Sequence, residues 1–408
     1  MATPRSADAR TATASQPRTA SNWPAILAGF CATLVGLGLA RFAYTPLLPA
    51  IIDAHWFDAS AATYLGAANL VGYLAGALLG GPMSARWPVR GVLRAMMLAT
   101  VASLAACAWP LDFAWFFGWR IVSGISGGAL MVLAAPTVLA HIPPRQRGLA
   151  SGLVFAGIGL GIAASGTLVP LLLRQGLGAT WLGLALLALL LTALAWNGWP
   201  AAAPASVVTT HAAAARKPAT GALRALTLSY SLNAVGLVPH MIFLVDFVAR
   251  GLGQGLAVGA QYWVVFGLGA LVGPVLGGWL ADRVGFATAL RIAFVLQAGA
   301  LALPAFGLIG HGGLIVSSAV VGAFTPGIVP LVLGRVQGLL AHHPAMQKPA
   351  WSRATTGFAV LQASGAYGMS WLLAHAGGGY ALLFAVGGVA IVLALVTDIV
   401  ARRLHPVA

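Results

Sequence analysis

Three arginines stand inside apolar text, and each raises a question of chemistry. Arg41 lies in LVGLGLARFAYTPLLPAII, residues 34–52; Arg120 opens RIVSGISGG; Arg335 sits in PLVLGRVQG. A bare guanidinium at the centre of hydrocarbon costs roughly 2.5–3.5 kcal/mol on insertion scales, so such a residue calls for water, a counter-charge or freed carbonyls. The apolar run 22–52 around Arg41 is about 45 Å long as a helix, and Arg41 falls within one turn of its middle, too deep to snorkel. A planar fork of N–H donors suits a carboxylate, phosphate or sulfonate. The alternatives are a buried pair with an aspartate, or donation to carbonyls freed near Pro46 and Pro49. Tyr44, one turn on, shares that side. Arg120 is placed to pair with Asp53 or Asp112 as a gate, or to help couple a proton, and Arg335 reads as an interface anchor.

His240 follows Pro239 at the depth that answers Arg41. Histidine titrates near neutral pH, so this position reads as a proton or substrate site, with a hydrogen-bonded core histidine as the alternative. Asp246 precedes Arg250 by four residues, and Asp398 precedes Arg402 by four, the spacing of a helical ion pair. Asp246 remains a candidate for coupling beside that structural role. Asn69 and Tyr73 share one helix face; Gln261 and Tyr262 adjoin Trp263; Gln297, Gln362 and Tyr367 complete the uncharged polar set. Any one of these is more often glue between membrane helices than a ligand. Together they give a cavity lining. Organic anions or neutral solutes suit it better than cations, because the apolar runs hold few acids.

The elements that position these residues follow from composition. The 408 residues are 60% hydrophobic and 7% charged, with 52 Gly and 23 Pro, and the mean hydropathy is +0.91. A soluble domain carries about 25% charged residues. Most of this surface must therefore face lipid. The net charge of +15 does not read as a nucleic-acid partner, because the basic residues punctuate apolar runs instead of forming one face. There is no Glu, and 20 of the 22 basic residues are Arg. Cys31 and Cys107 lie in apolar runs and read as free packing residues. The motif GLGIAA, Gly159 to Ala164, fits a dinucleotide pattern only in letters, since no strand precedes it. No metal spacing, phosphate loop or nucleophile elbow appears, so no cofactor is expected.

Twelve runs are long enough to cross about 30 Å of hydrocarbon as helices: 22–52, 60–82, 90–109, 113–141, 147–171, 178–199, 221–249, 256–280, 287–309, 312–339, 353–375 and 379–401. They are numbered spans 1 to 12. Lys and Arg set the orientation. With the N-terminus cytosolic, seventeen basic residues fall on the inner side, Arg174 and Arg250 on the outer, and Arg41, Arg120 and Arg335 within spans. The expected layout is a cytosolic tail at 1–21, a six-helix bundle at 22–200, a cytosolic linker at 201–220, a second bundle at 221–403 and a tail at 404–408. The halves look alike: GGPMSARWPVRGVLR after span 2 answers GGWLADRVGFATALR after span 8, and VGLGLARF in span 1 answers VGLVPHMIF in span 7. Gly72, Gly76 and Gly80 recur at four-residue intervals, the spacing of close helix packing.

GGWLADRVG, Gly277 to Gly285, resembles the loop signature of the major facilitator superfamily. The resemblance implies that Gly278, Asp282 and Arg283 belong to a latch between the cytosolic ends of helices; in the first-half copy Ala85 stands in place of the Asp. RIVSGISGG resembles the Arg-glycine signature of family antiporters through Arg120, Gly124 and Gly128, while span 5 lacks the antiporter proline. LARFAYTPLLPAI, ANLVGYLAGALLGGP and LNAVGLVPHMIFLVDFVARGLG are similar to spans 1, 2 and 7 of the YbfB/YjiJ-like branch. The resemblance implies an all-α integral membrane fold of twelve transmembrane helices in two pseudo-symmetric six-helix bundles. It implies a multi-pass permease of the bacterial inner membrane with both termini cytoplasmic. Such a protein is expected to be a monomer, to meet a small-molecule substrate, protons and the lipid bilayer, and to work by proton-coupled alternating access. Arg41, Tyr44, Asn69, Tyr73, His240, Gln261, Tyr262 and Gln362 are then the expected substrate residues. Arg120, Asp246, Gly278, Asp282 and Arg283 are the expected coupling and gating residues. A polytopic membrane enzyme or a transporter-shaped receptor are the rival readings; the short loops carry no acid, base or metal cluster for the first.

Overall fold

The computed structural model describes residues 22–200, 220–307, 310–375 and 379–404. Residues 1–21, 201–219 and 405–408, which hold most of the expected tails and linker, lie outside the described residues. Every regular element among the described residues is helical. Helices satisfy their backbone groups internally, which is what hydrocarbon demands.

Span 1 is Trp23–Thr33, continued by a π-helical stretch Leu34–Phe42 and by Tyr44–Asp53. Spans 2 to 6 are Ala59–Arg86, Val89–Ala106, Phe113–Leu139, Arg147–Leu173 and Leu177–Ala195. Span 7 is Thr220–Val238, followed by Pro239–Phe243 in π geometry, Leu244–Asp246 in α and Phe247–Gly251 in π. Spans 8 to 12 are Leu256–Val284, Phe286–Ala305, His311–Leu339, Pro344–His375 and Gly379–Leu404. Eleven of the described helices are long and apolar enough to cross a membrane. Span 11 has the length, at 32 residues, but is more polar than the others because it carries Gln347, Lys348, Arg353 and Gln362. It begins nine residues earlier than the apolar run suggested, with Pro344 at its first position, where a missing N–H costs nothing.

Glycine decides how the bundles pack. A Cβ on Gly76 of span 2 would lie 2.0 Å from the Ile125 carbonyl oxygen, and one on Gly128 of span 4 would lie 2.1 Å from that of Tyr73. Spans 2 and 4 therefore meet backbone to backbone. Spans 8 and 10 repeat the arrangement, with Gly273 against Ala323 and Gly322 against Phe266. Without a hydrophobic drive between helices in lipid, such close packing is one of the forces that associate them, beside interhelical hydrogen bonds and lipid entropy.

The two bundles touch along two seams. Span 5 packs along span 8, from Gly148 against Gly278 to Gly159 against Ala270; the GLGIAA letters are part of this helix contact. Span 11 packs on spans 2 and 4, and the cross-seam bonds from Trp351 and Ser352 sit towards the face that carries the basic loops. Farther from that face the second seam parts around a cavity. Cys31 and Cys107 are free and buried, as their surroundings implied.

Candidate functional site

The cavity of about 220 Å³ lies between the bundles. Span 1 lends Arg41, Phe42, Tyr44 and Thr45, spans 2 and 4 lend Asn69 and Arg120, and the second bundle lends Met241, Trp263 and Gln362. The π-helical stretch that holds Arg41 is a deviation of a kind that concentrates at functional positions. Pro46, just beyond it, lacks the N–H that an α-helix would direct at the Phe42 carbonyl.

Arg41 donates from one terminal nitrogen to the Gln362 Oε1 at 2.8 Å, across the two bundles. Its guanidinium carbon lies 5.4 Å from the Phe42 ring centre and 5.6 Å from that of Tyr73. An arginine has five N–H donors, and this one is given a single acceptor by the described residues. Arg41 is among the residues that line the cavity. Gln362 is held from the other side, its Nε2 donating to the Met241 sulfur at 3.4 Å.

Arg120 is 2% exposed and uses carbonyls instead of carboxylates. It donates to the Ala40 oxygen at 2.9 Å and to the Leu65 oxygen at 3.4 Å, and lies 4.3 Å over the Tyr44 ring. It thus ties spans 1, 2 and 4 together one residue before Arg41. The expected pairing with Asp112 does not occur, because Asp112 caps span 4 by accepting from the Trp115 N–H at 2.7 Å. Asp53, the other expected partner, has a side chain outside the described residues. Tyr44 donates to the Ala62 oxygen at 2.7 Å, and Asn69 donates to the Ser123 hydroxyl at 3.3 Å. Tyr73 lies just below, on a smaller void of about 40 Å³ that also touches Arg41 and Gln362.

The other sequence candidates sit elsewhere. His240 is fully buried, away from the cavity, with its ring edge-on to Phe384 at 5.1 Å. Ser317 gives its proton to the Ala300 oxygen at 2.6 Å, so it accepts from His240 Nε2 at 2.8 Å, and Nδ1 has no partner among the described residues. The π turn at Pro239–Phe243 points Met241 at the cavity in its place. Tyr262 turns to His311 Nδ1 at 2.7 Å, and Gln261 and Tyr367 are exposed. Asp246 and Arg250 have side chains outside the described residues. Trp263, Thr45 and Met241 line the cavity with no polar signal beyond adjacency to Tyr262, Tyr44 and His240.

The described acids are spent on structure. Asp58 caps span 2 through the Ala61 N–H at 2.7 Å. Asp398 binds Arg291 at 2.6 Å and Arg335 at 3.0 Å. This corrects both the expected pairing with Arg402 and the reading of Arg335 as an anchor: Asp398 is 2% exposed and faces spans 9 and 10, while Arg402 points outward. Asp282 accepts from the Gly148 N–H at 2.8 Å and the Leu149 N–H at 2.7 Å, capping span 5 from span 8. Gly278 lets this happen, since a Cβ there would strike the Gly148 carbonyl. Arg283 lies 3.8 Å over the Trp279 ring and makes no part of that contact. Among the described residues, no acid lines the cavity of Arg41 and Arg120.

A membrane-embedded cleft between two glycine-packed bundles is an arrangement with known relatives. The family described as "Uncharacterised MFS-type transporter YbfB" matches residues 33–399. The chain belongs to this family of the major facilitator superfamily. A "Gallate transporter" of Pseudomonas putida is 27% identical over an alignment of 313 positions that covers 64% of this chain and 69% of that protein. The "Uncharacterized MFS-type transporter YceJ" of Bacillus subtilis is 25% identical over an alignment of 332 positions that covers 76% of this chain and 80% of that protein. The fold is that of the proton:xylose symporter XylE, with a TM-score of 0.73 at 16% identity over 92% of this chain and 94% of that one. It is equally that of the human organic anion transporter MFSD10, with a TM-score of 0.73 at 18% identity over 94% of this chain and 100% of that one. The major facilitator assignment makes the chain a multi-pass membrane transporter of a small solute, and the rival reading as a membrane enzyme falls with it.

Proposed function

We propose that this transporter carries a small organic anion, with a single-ring aromatic carboxylate as its substrate class. Arg41 carries the reading: a guanidinium at mid-depth, open to a cavity, with one amide oxygen as its partner. Arg120 adds a second positive charge to the same walls. A unit charge 4 Å from an anion is worth about 4 kcal/mol at an intermediate dielectric of ~20. The cavity is smaller than the roughly 300–1,000 Å³ of sites for drug-sized ligands, which favours a solute of one ring. Phe42, Tyr44 and Trp263 supply the ring's surroundings. The relative named for gallate carries such a substrate in its name.

In this reading Gln362 holds the place of the cargo. An incoming carboxylate takes the Arg41 fork, Gln362 is released, and the contact between span 1 and span 11 changes. The two halves, divided at the linker 201–220, then exchange outward and inward access around Arg41, Tyr44, Asn69, Tyr73 and Gln362. A ligand shifts such an equilibrium only by its difference in affinity for the two states. Asp282 and Gly278 close the basic face in the outward state. Proton coupling is assigned to the second bundle, at His240 or Asp246. By the distribution of Lys and Arg the basic face is cytosolic, with both termini on that side, in a bacterial inner membrane. The carrier works as a monomer.

The test is counterflow of labelled gallate in proteoliposomes holding the wild type or Arg41→Ala. Saturable exchange in the wild type and its loss in the variant support the reading. Conversion of the label without net movement, or equal exchange by both proteins, counts against it.

A further inference from the structure

The two seams at the basic face are closed by different chemistry. Between spans 5 and 8 the closure is the Asp282 carboxylate, which accepts the Gly148 and Leu149 N–H groups. The sequence repeat puts Ala85 at the matching place in the first half, so the seam between spans 2, 4 and 11 lacks that carboxylate. An open groove lined by Ser84, Ala85, Lys348 and Ser352 occupies its position.

Span 11 supplies donors there instead. The Ser352 hydroxyl donates to the Ala77 oxygen of span 2 at 2.7 Å. The Trp351 indole N–H donates to the Met131 oxygen of span 4 at 3.3 Å. Both acceptors are helix carbonyls, which keep a second lone pair for such a bond. The Trp351 ring also stacks on Tyr230, with centres 6.0 Å apart, and Tyr230 meets Phe358 at 4.5 Å. Tyr230 and Phe358 form the floor of the void beneath Arg41, together with Met131 and Tyr73. The indole is therefore bonded to the helix that walls the exit and stacked on the ring that floors it.

We propose that Trp351 and Ser352 are the gating pair of this second seam, standing in for the absent carboxylate and holding the basic face shut beneath Arg41. Their bonds span the two bundles, so they break whenever the bundles part at that face. The pair is uncharged: its strength comes from two neutral donors, each worth a few-fold to about tenfold in an equilibrium. This inference rests on the alternating-access reading.

Pulsed electron–electron distance measurement separates the two. Spin labels go on Gly91→Cys and Thr288→Cys at the basic face, and on Leu111→Cys and Phe306→Cys at the opposite face, in a Cys31→Ala/Cys107→Ala background. Gly91, Thr288, Leu111 and Phe306 are exposed. Trp351→Phe keeps a smaller aromatic ring beside Tyr230 and removes the N–H, Ser352→Ala removes the hydroxyl, and Ser352→Thr restores it. Asp282→Asn reports whether the basic face can open at all. The expected result is a rise of about tenfold in the open-to-closed ratio at the basic face for Trp351→Phe/Ser352→Ala. Ser352→Ala alone should give a smaller rise, and Ser352→Thr should match the wild type. Should Asp282→Asn open the face while Trp351→Phe/Ser352→Ala and Ser352→Ala stay at the wild-type ratio, the gating pair is refuted and alternation stands. A single unchanging distance in every protein, with and without gallate, removes alternation and this inference with it.

Discussion

The Arg41 guanidinium and the Gln362 carbonyl oxygen meet at 2.8 Å, one from the first span of one bundle and one from the eleventh span in the other. A neutral amide is a weak partner for a guanidinium. It holds the donor fork in place and yields to a carboxylate of matching geometry, which adds an opposite charge and a second, parallel N–H···O bond. Changing Gln362 to Glu turns the placeholder into a permanent partner. Gln362→Glu is expected to raise the melting temperature of the empty carrier and weaken gallate binding at least tenfold. Gln362→Ala should leave binding within a few-fold of wild type. Calorimetric titration of the three purified proteins checks both expectations.

Arg120 presents a different case from Arg41, although both line one cavity. Its bonds go to the Ala40 and Leu65 carbonyls, and its removal breaks the tie between spans 1, 2 and 4 and empties a buried volume against the Tyr44 ring. Hydrogen bonds made by a charged group contribute about 1.5–3 kcal/mol each. Arg120→Ala should therefore lower thermal stability strongly, while Arg41→Ala leaves it nearly unchanged. A thermal-shift comparison in one detergent reads the contrast directly.

The spans were legible in the sequence because hydrocarbon sets their length and composition with little help from tertiary contacts. The glycine stripe at Gly72, Gly76 and Gly80 was legible for a related reason: close packing leaves a spacing that survives in one dimension. Partners were harder to read. The spacing of Asp398 and Arg402 suggested a helical pair, yet Asp398 turns inward to Arg291 and Arg335, which lie 107 and 63 positions away. Arg120 gave no hint that its acceptors would be backbone carbonyls, since every residue offers one. His240 was expected to answer Arg41, but it lies fully buried in a π turn that begins at Pro239 and is not among the residues lining the cavity, and a shift of helix type leaves no local mark besides the proline. Trp351 and Ser352 sat in the polar start of span 11, ahead of the apolar run, where no span was expected.

The Asp398 cluster carries its own expectation. One carboxylate serves two guanidinium groups, Arg335 being 8% exposed. Breaking a buried ion pair from one side costs about 3–5 kcal/mol, because the other charge stays behind. Asp398→Asn should fall in that range by reversible unfolding or by loss of folded protein on heating, and Arg402→Ala should fall near zero.

Close packing of spans 2 and 4 allows no side chain at their crossing. A Cβ at Gly76 would stand 2.0 Å from a backbone oxygen that cannot rotate away. Gly76→Ala should therefore lower the yield of monodisperse protein and its melting temperature, while Gly81→Ala, which meets nothing within 4 Å, should be silent. Size-exclusion profiles of the two variants give the answer.

The central claim is that the free donors of Arg41 take the carboxylate of the cargo. The most direct measurement compares binding of gallate with that of its uncharged amide, 3,4,5-trihydroxybenzamide, to the wild type and to Arg41→Ala. The account predicts that the wild type prefers the carboxylate at least tenfold and that the preference disappears in Arg41→Ala, with stability unchanged. Equal affinity for the acid and the amide in the wild type, or an undiminished preference in the variant, would contradict it.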